Sequence, residues 1–273
     1  MSLLIFETKN FMDVGSNYND QFYKSLTDGS YSSARHYVSI LSSLSINPEK
    51  VVDVGCGRGP WLKAFSDSGS KELVGIDGDW VCQEDMLDEK IKFHSIDLSS
   101  SVIKDPINKK FDLAMSLEVA EHLKPEQADT FINYLTSFSD TILFSAAFIG
   151  QGGTDHFNER PHTYWAKIFN RKGYLPYDIF RSKVWENQEI EVWYRQNTFL
   201  YLKLNSKFEK ILKEQGIEHI SEISLMNCIH PDLYQFKVED NNKLSQLIIK
   251  LRKSTISGLI KRLLPKYIVE FIS

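Results

Sequence analysis

The chain has 273 residues, 42% of them hydrophobic, and a formal net charge of -4. That is enough apolar material for one full core plus an appendage, and the weakly acidic balance excludes a general nucleic-acid binder. Cys56, Cys82 and Cys228 are few, odd in number and far apart, which suggests neither a disulfide framework nor a cysteine metal site and suits a reducing cytoplasm. No apolar run reaches about 18 residues, and the N-terminus lacks a basic region followed by an apolar core, so neither a spanning helix nor a signal peptide is expected.

Residues 1–49 read as an N-terminal cap. Tyr31, Ala34, Tyr37, Val38, Leu41 and Leu44 form a helical stripe predicted to cover one edge of a sheet. The polar, aromatic stretch from Tyr18 to Gly29 reads as a surface arm, with folding over a ligand as the alternative.

Residues 51–62 (VVDVGCGRGPWL) organise the rest of the chain. The β-branched run predicts a buried strand, and Gly55, Gly57 and Gly59 predict a tight loop that approaches a ligand, with a helix to about Ser68. A dinucleotide fingerprint would place its third glycine one residue later, where Pro60 stands. Asp53, at the strand end, would repel a pyrophosphate but attract the ammonium and sulfonium of S-adenosylmethionine. Leu73–Asp77 reads as the second strand, with Asp77 placed to accept two ribose hydroxyls. Residues 93–97 (FHSID) predict a third strand whose Asp97 meets the adenine amine beside the Leu98 backbone, after a helix from about Val81.

Further on, Phe111–Ser116 is the fourth predicted strand, Pro125 opens a helix to about Phe138, and Thr141–Ser145 is the fifth strand. Strands alternating with helices imply a mostly parallel α/β sheet with ligands outside the strand carboxyl ends. Pro161 is expected to start a helix, with Trp165 in the core and His162 either facing an acceptor or capping. Arg160, Arg181 and Arg195 read either as contacts for an acceptor phosphate or as solvated surface, and Trp185 and Trp193 as flanks of a hairpin. An amphipathic helix should end near Gly216, and residues 235–242 are polar enough for a linker.

Asp53 with its glycines, Gly75-Ile76-Asp77, and residues 111–123 (FDLAMSLEVAEHL) resemble class I S-adenosylmethionine-dependent methyltransferases over roughly residues 30–203. Gly78-Asp79-Trp80-Val81, residues 144–156 (FSAAFIGQGGTDH) and Trp193–Asn197 are similar to a bacterial subfamily associated with surface-polysaccharide biosynthesis. The resemblance implies a Rossmann-like, seven-stranded sheet whose last strand, from Trp193 to Leu204, is antiparallel. It also implies cofactor contacts from Asp53, Gly55, Gly57, Gly59, Asp77, Gly78, Trp80, Asp97, Leu98 and Ser116, and a methyl acceptor that is a sugar, glycan or other small molecule. A phosphate or carboxylate acceptor, and a non-catalytic cofactor-binding subunit, are the alternatives.

Glu118-x-x-Glu121-His122, as one helical turn, would put two carboxylates and an imidazole on one face, and the glycine-rich loop 150–153 would carry His156 over them. Glu118, Glu121, His122 and His156 resemble the metal sites of small-RNA 2′-O-methyltransferases and some ubiquinone-pathway O-methyltransferases. A divalent ion (Mn, Mg, Fe or Zn) and a metal-free core arrangement both stay open. Without metal, His156 or His162 is the expected general base, with Glu118 beside them. The chain therefore divides into the cap (1–49), a cofactor-binding methyltransferase domain (50–204), a helical extension and linker (205–242) and a basic amphipathic tail (243–273). That tail is read as a helix pair for peripheral contact with the inner face of the membrane, or for self-association.

Overall fold

The computed structural model describes residues 20–103 and 107–263, with side chains over 27–103 and 107–252. In chain order the elements are α1 (Asp20–Ser43), β1 (Lys50–Val54), α2 (Pro60–Asp67), β2 (Glu72–Asp77), β3 (Ile91–Ser95), β4 (Leu113–Leu117), α3 (Ala128–Phe138) and β5 (Thr141–Ser145). Then come α4 (His162–Arg171), β6 (Tyr174–Tyr177), α5 (Arg181–Val184), α6 (Val192–Asn197), β7 (Phe199–Lys203), α7 (Lys207–Glu214) and α8 (Pro231–Leu263). The seven strands form one sheet in the order β3-β2-β1-β4-β5-β7-β6. Strands β1 to β5 pair in parallel, and β7 runs antiparallel to both β5 and β6. This is the Rossmann-like, mostly parallel sheet expected from the alternating pattern, with a helical C-terminal region.

Each face of the sheet has its own core. Val51, Leu73, Leu113 and Leu143 look toward α1 and α2, whereas Val52, Val74, Ala114 and Ile142 look toward α3 and α4. Because strands covered on both faces have no solvated side, β4 and β5 are buried at every position. The strand order reverses between β1 and β4, so the connections after these strands leave in opposite directions and open a crevice at their carboxyl ends.

Several expectations need correction. Helix α1 lies over a face of the sheet rather than along its edge, with the Tyr37 ring 5.4 Å from Trp61 and its hydroxyl donating to the Tyr194 carbonyl at 2.7 Å. Residues 20–29 continue the same helix; Tyr18 lies outside the described residues. No helix starts at Val81. One 3₁₀ turn (Gln83–Asp85) stands there, and the Gln83 amide spends its hydrogen bonds on the β3 backbone at Ile91 and Phe93. β3 stops at Ser95, two residues short of Asp97.

Trp193–Asn197 is helical and only Phe199–Lys203 is strand, so Trp185 and Trp193 flank no hairpin. The turn directs Gln196 and Asn197 into the interior, where an extended segment would have alternated them across the sheet. Residues 235–242 are not a linker but part of α8, which runs without a break to Leu263. Residues 264–273 lie outside the described residues.

Candidate functional site

The crevice is built first by the loop after β1. Gly55, Gly57 and Gly59 all hold left-handed φ values of 86°, 51° and 78°. At Gly57 an added Cβ would meet nothing within 4 Å, so the glycine is required by the turn and leaves open space beside the backbone. Asp77, at the end of β2, grips this loop: its carboxylate accepts from the amides of Gly57 and Gly78, each at 2.7 Å. Burial raises the Asp77 pKa, and those two amides together with Trp80 hold it back.

Asp53 is 3% exposed. Burial drives its pKa well above the usual carboxylate value, and the nearby charge of Asp77 adds to the rise. Two carboxylates in one low-dielectric cleft invite a cation, and a sulfonium-ammonium cofactor brings positive charge to that place.

The remaining cofactor candidates are placed unevenly. Trp80 is 77% exposed, and its ring lies so close over Gly78 that a Cβ there would come within 2.2 Å of it. Asp97 is exposed and spends one oxygen on the amide and hydroxyl of Ser99, which lowers its pKa, while the Leu98 side chain is buried in the core. Ser116 is buried and donates to the Val54 carbonyl at 2.8 Å, tying β4 to the end of β1 instead of facing the crevice.

The second half comes after β4. Glu118 adopts φ 56°, an uncommon conformation for a residue with a Cβ, and a 3₁₀ turn (Ala120–His122) succeeds it. The stretch is therefore not one α-helical turn, and Glu118 stays near Glu121 but outside the cluster that Glu121 forms with His122 and His156. Its carboxylate accepts from Asn197 Nδ2 at 3.1 and 3.2 Å and from Gln151 Nε2 at 3.0 Å. Burial still pushes its pKa up, against those bonds.

Glu121, His122 and His156 do converge, with their ligand atoms all within 4.8 Å of one another. The loop after β5 reaches them because the amides of Phe157 and Asn158 both donate to the Glu121 carbonyl at 2.9 Å. A Cβ on Gly153 would lie 2.4 Å from the His156 ring, so only glycine leaves room for it. The His122 and His156 rings meet edge to face at 4.8 Å. Each imidazole is held through Nδ1, by the Asp155 carbonyl at 3.3 Å for His122 and by Glu159 Oε1 at 3.0 Å for His156. These acceptors fix Nδ1 as the protonated nitrogen and leave Nε2 as the lone-pair donor of each ring. Burial, and the positive charge His156 can carry, lower the His122 pKa.

Glu121 is 0% exposed, and neither carboxylate oxygen has a hydrogen-bond partner among the described residues. Its own amide and that of Ala147 approach without closing a bond of ordinary geometry. Burial, then the charge of Glu118, push its pKa well above the usual range. A buried carboxylate so placed beside two imidazole lone pairs has the donor set of a divalent-cation site.

His162 is not in this group. It is buried, with Nδ1 2.9 Å from the Met226 carbonyl and Nε2 3.0 Å from Asn197 Oδ1, and burial lowers its pKa to about 4, so the neutral ring donates to one of these two oxygens. Enclosed between them, it packs against Asn197 rather than facing an acceptor. Arg181 and Arg195 are likewise buried struts, Arg181 holding Asp178 and the Met226 carbonyl and Arg195 the Trp185 carbonyl and Asp232, whereas the half-buried Arg160 donates to Asn158. Sequence reasoning missed Gln151, Glu159 and Asn197 as site residues. Gln151 and Asn197 stand inside the stretches 144–156 and 193–197 but carry no titratable signature, and Glu159 shows its role only through the fold of its loop.

The seven-stranded sheet with its last strand antiparallel has the Rossmann-like fold of S-adenosylmethionine-dependent methyltransferases, with the acid-gripped glycine loop at the mouth of its crevice. Residues 29–144, less than half of the chain, match the family described as a methyltransferase domain. Among curated proteins, the chain is similar to the mitochondrial ubiquinone biosynthesis O-methyltransferase of Dictyostelium discoideum, 33% identical over 100 residues. That stretch is 32% of this chain and 30% of the relative, so the chain spans less than a third of its length. Among solved structures, the magnesium protoporphyrin IX methyltransferase of Synechocystis PCC 6803 with bound S-adenosylmethionine is similar in fold: TM-score 0.50, 18% identity, 71% of this chain and 87% of that one. An O-methyltransferase family protein from Burkholderia thailandensis also has TM-score 0.50, at 12% identity, covering 70% and 61%.

Proposed function

We propose that the chain transfers the methyl group of S-adenosylmethionine to a hydroxyl oxygen of a sugar, glycan or related small molecule, and that Glu121, His122 and His156 hold a divalent cation for it. The observation that carries the reading is the buried, unsatisfied Glu121 carboxylate beside two imidazoles whose Nδ1 atoms are already held. When bound, such a cation orients adjacent acceptor oxygens and lowers the pKa of a hydroxyl that is otherwise a poor nucleophile at neutral pH.

The chain's own residues do the rest. Asp77 accepts the ribose hydroxyls, Asp53 faces the cationic end of the cofactor, and the glycines 55, 57 and 59 let it lie against the backbone. Trp80 flanks Asp77 at the exposed rim of the cleft. Asn197 and Gln151 fix Glu118 at the back of the crevice, where it helps to align the acceptor. Much of the rate is expected from position, since methyl transfer is an in-line displacement. Glu159 keeps His156 in one tautomer, so that Nε2 is the atom presented.

The test is to incubate the full chain with labelled cofactor and a panel of nucleotide sugars, short glycans and catechols, with EDTA or added Mn²⁺. Metal-dependent methyl incorporation into an acceptor with two adjacent hydroxyls supports the proposal. Full activity in EDTA would leave His156 as the proton acceptor and remove the metal. A second reading, transfer to a phosphate or carboxylate, predicts activity that survives loss of His156.

A further inference from the structure

From Glu239 to Arg252 every residue of α8 is exposed, so this part of the helix extends past the body of the protein. A helix in water draws most of its stability from an apolar face packed on something. Here Leu244, Leu247 and Ile248, at spacings of three and four on one face, are exposed at 55%, 52% and 42%.

The charge is as uneven as the packing. Between 243 and 263 the sequence carries Lys243, Lys250, Arg252, Lys253, Lys261 and Arg262 and no Asp or Glu, in a chain whose formal net charge is -4. Lys243 and Lys250, seven residues apart, line the flank of the apolar face. The root of the helix, by contrast, is bonded to the site. The His230 amide donates to Gln196 Oε1 at 2.6 Å, Arg195 donates to Asp232 at 3.2 Å, and the neighbouring Asn197 holds Glu118. Lys237 Nζ lies 2.9 Å from where a Cβ on Gly152 would sit, in the loop that carries His156.

We infer that α8 is an arm that docks the protein on an anionic lipid surface. Its exposed leucines and isoleucine enter the interface, its lysines and arginines meet the headgroups, and the loop that carries His156 lies at the arm's root. A second copy fits less well. Two arms packed together would oppose strongly basic segments. A heptad seam drawn through Leu244, Leu247 and Leu251 would also continue with Ser254, Gly258 and Lys261, which do not form a coiled-coil core. No described helix is long and apolar enough to cross a membrane, which fits an arm lying on the surface.

The inference does not depend on the acceptor or on a metal, and it is tested without turnover. The full chain is sedimented with vesicles of pure phosphatidylcholine and with vesicles enriched in phosphatidylglycerol. Two variants, Lys243→Glu/Lys250→Glu/Arg252→Glu and Leu244→Ser/Leu247→Ser/Ile248→Ser, change exposed side chains only, and their folding is checked by thermal melting. The parent chain should pellet with the anionic vesicles and not with the neutral ones, and each variant should lose partitioning by roughly tenfold or more. If the parent stays in the supernatant with both, or if the variants pellet as the parent does, the inference is wrong. A dimer that the serine variant splits, with no vesicle binding, would assign the arm to a second copy instead.

Discussion

Replacing Glu121 by Gln should stabilise the metal-free protein and destabilise the metal-loaded one relative to the parent. In the parent, a fully buried carboxylate has no hydrogen-bond partner among the described residues and lies near the charge of Glu118. Its folded-state pKa is raised, so the folded form holds a proton that the unfolded chain releases above the usual carboxylate range. Stability is therefore present at low pH and lost as pH rises toward the folded pKa. Glutamine keeps the volume and does not titrate.

An unsatisfied buried polar group costs about 1–3 kcal/mol, more when charged. Glutamine is itself a buried polar group there, so the variant sheds only the extra cost of the charge, and metal-free it should gain about 1 kcal/mol near neutral pH, read as roughly 2–4 °C in Tm for a chain of this size. A cation at a hundred times its dissociation constant adds about 2.7 kcal/mol to the parent and little to the variant, which lacks the anionic ligand. Thermal unfolding in EDTA and in Mn²⁺ reads both: the variant should melt higher in the first and lower in the second. A variant that melts lower in EDTA would mean that Glu121 is satisfied in the folded protein. A parent Tm indifferent to Mn²⁺, Zn²⁺ and Mg²⁺ would refute the cation site.

Asp77→Ala should weaken S-adenosylmethionine and S-adenosylhomocysteine binding by about 1–3 kcal/mol, or roughly 5- to 150-fold by calorimetry, because the ribose diol and the Gly57 amide both lose an acceptor. Since burial and Asp77 raise the Asp53 pKa, the cationic cofactor should bind the ionised form, and affinity should rise with pH above the ordinary carboxylate range; Asp53→Asn should flatten that rise. His162 has a pKa lowered to about 4, so its contribution to stability is full above the unfolded value near 6.5 and lost as pH falls toward 4, by roughly 3 kcal/mol in all. Urea unfolding at pH 7.5 and 5 should show this slope in the parent and a smaller one in His162→Gln.

The alternating strands, the glycine loop and the acids at two strand ends were legible in the sequence, because a doubly covered parallel sheet imposes continuous β-branched runs and a tight loop imposes glycine. Mainly apolar runs of five or six residues sufficed for β1, β2 and β5. Periodicity misled at Val81 and at Trp193–Asn197, where single tertiary bonds, such as Gln83 on the β3 backbone, outweigh local pattern. The candidate metal ligands were legible as residue types but not as a set. Spacing on an ideal helix joined Glu118 to Glu121 and His122, and only the left-handed backbone at Glu118, with Asn197 and Gln151 brought from distant segments, takes it out of the group. The functions of Glu159 and His162 lie in what their neighbours do, and those neighbours meet only when the chain has folded.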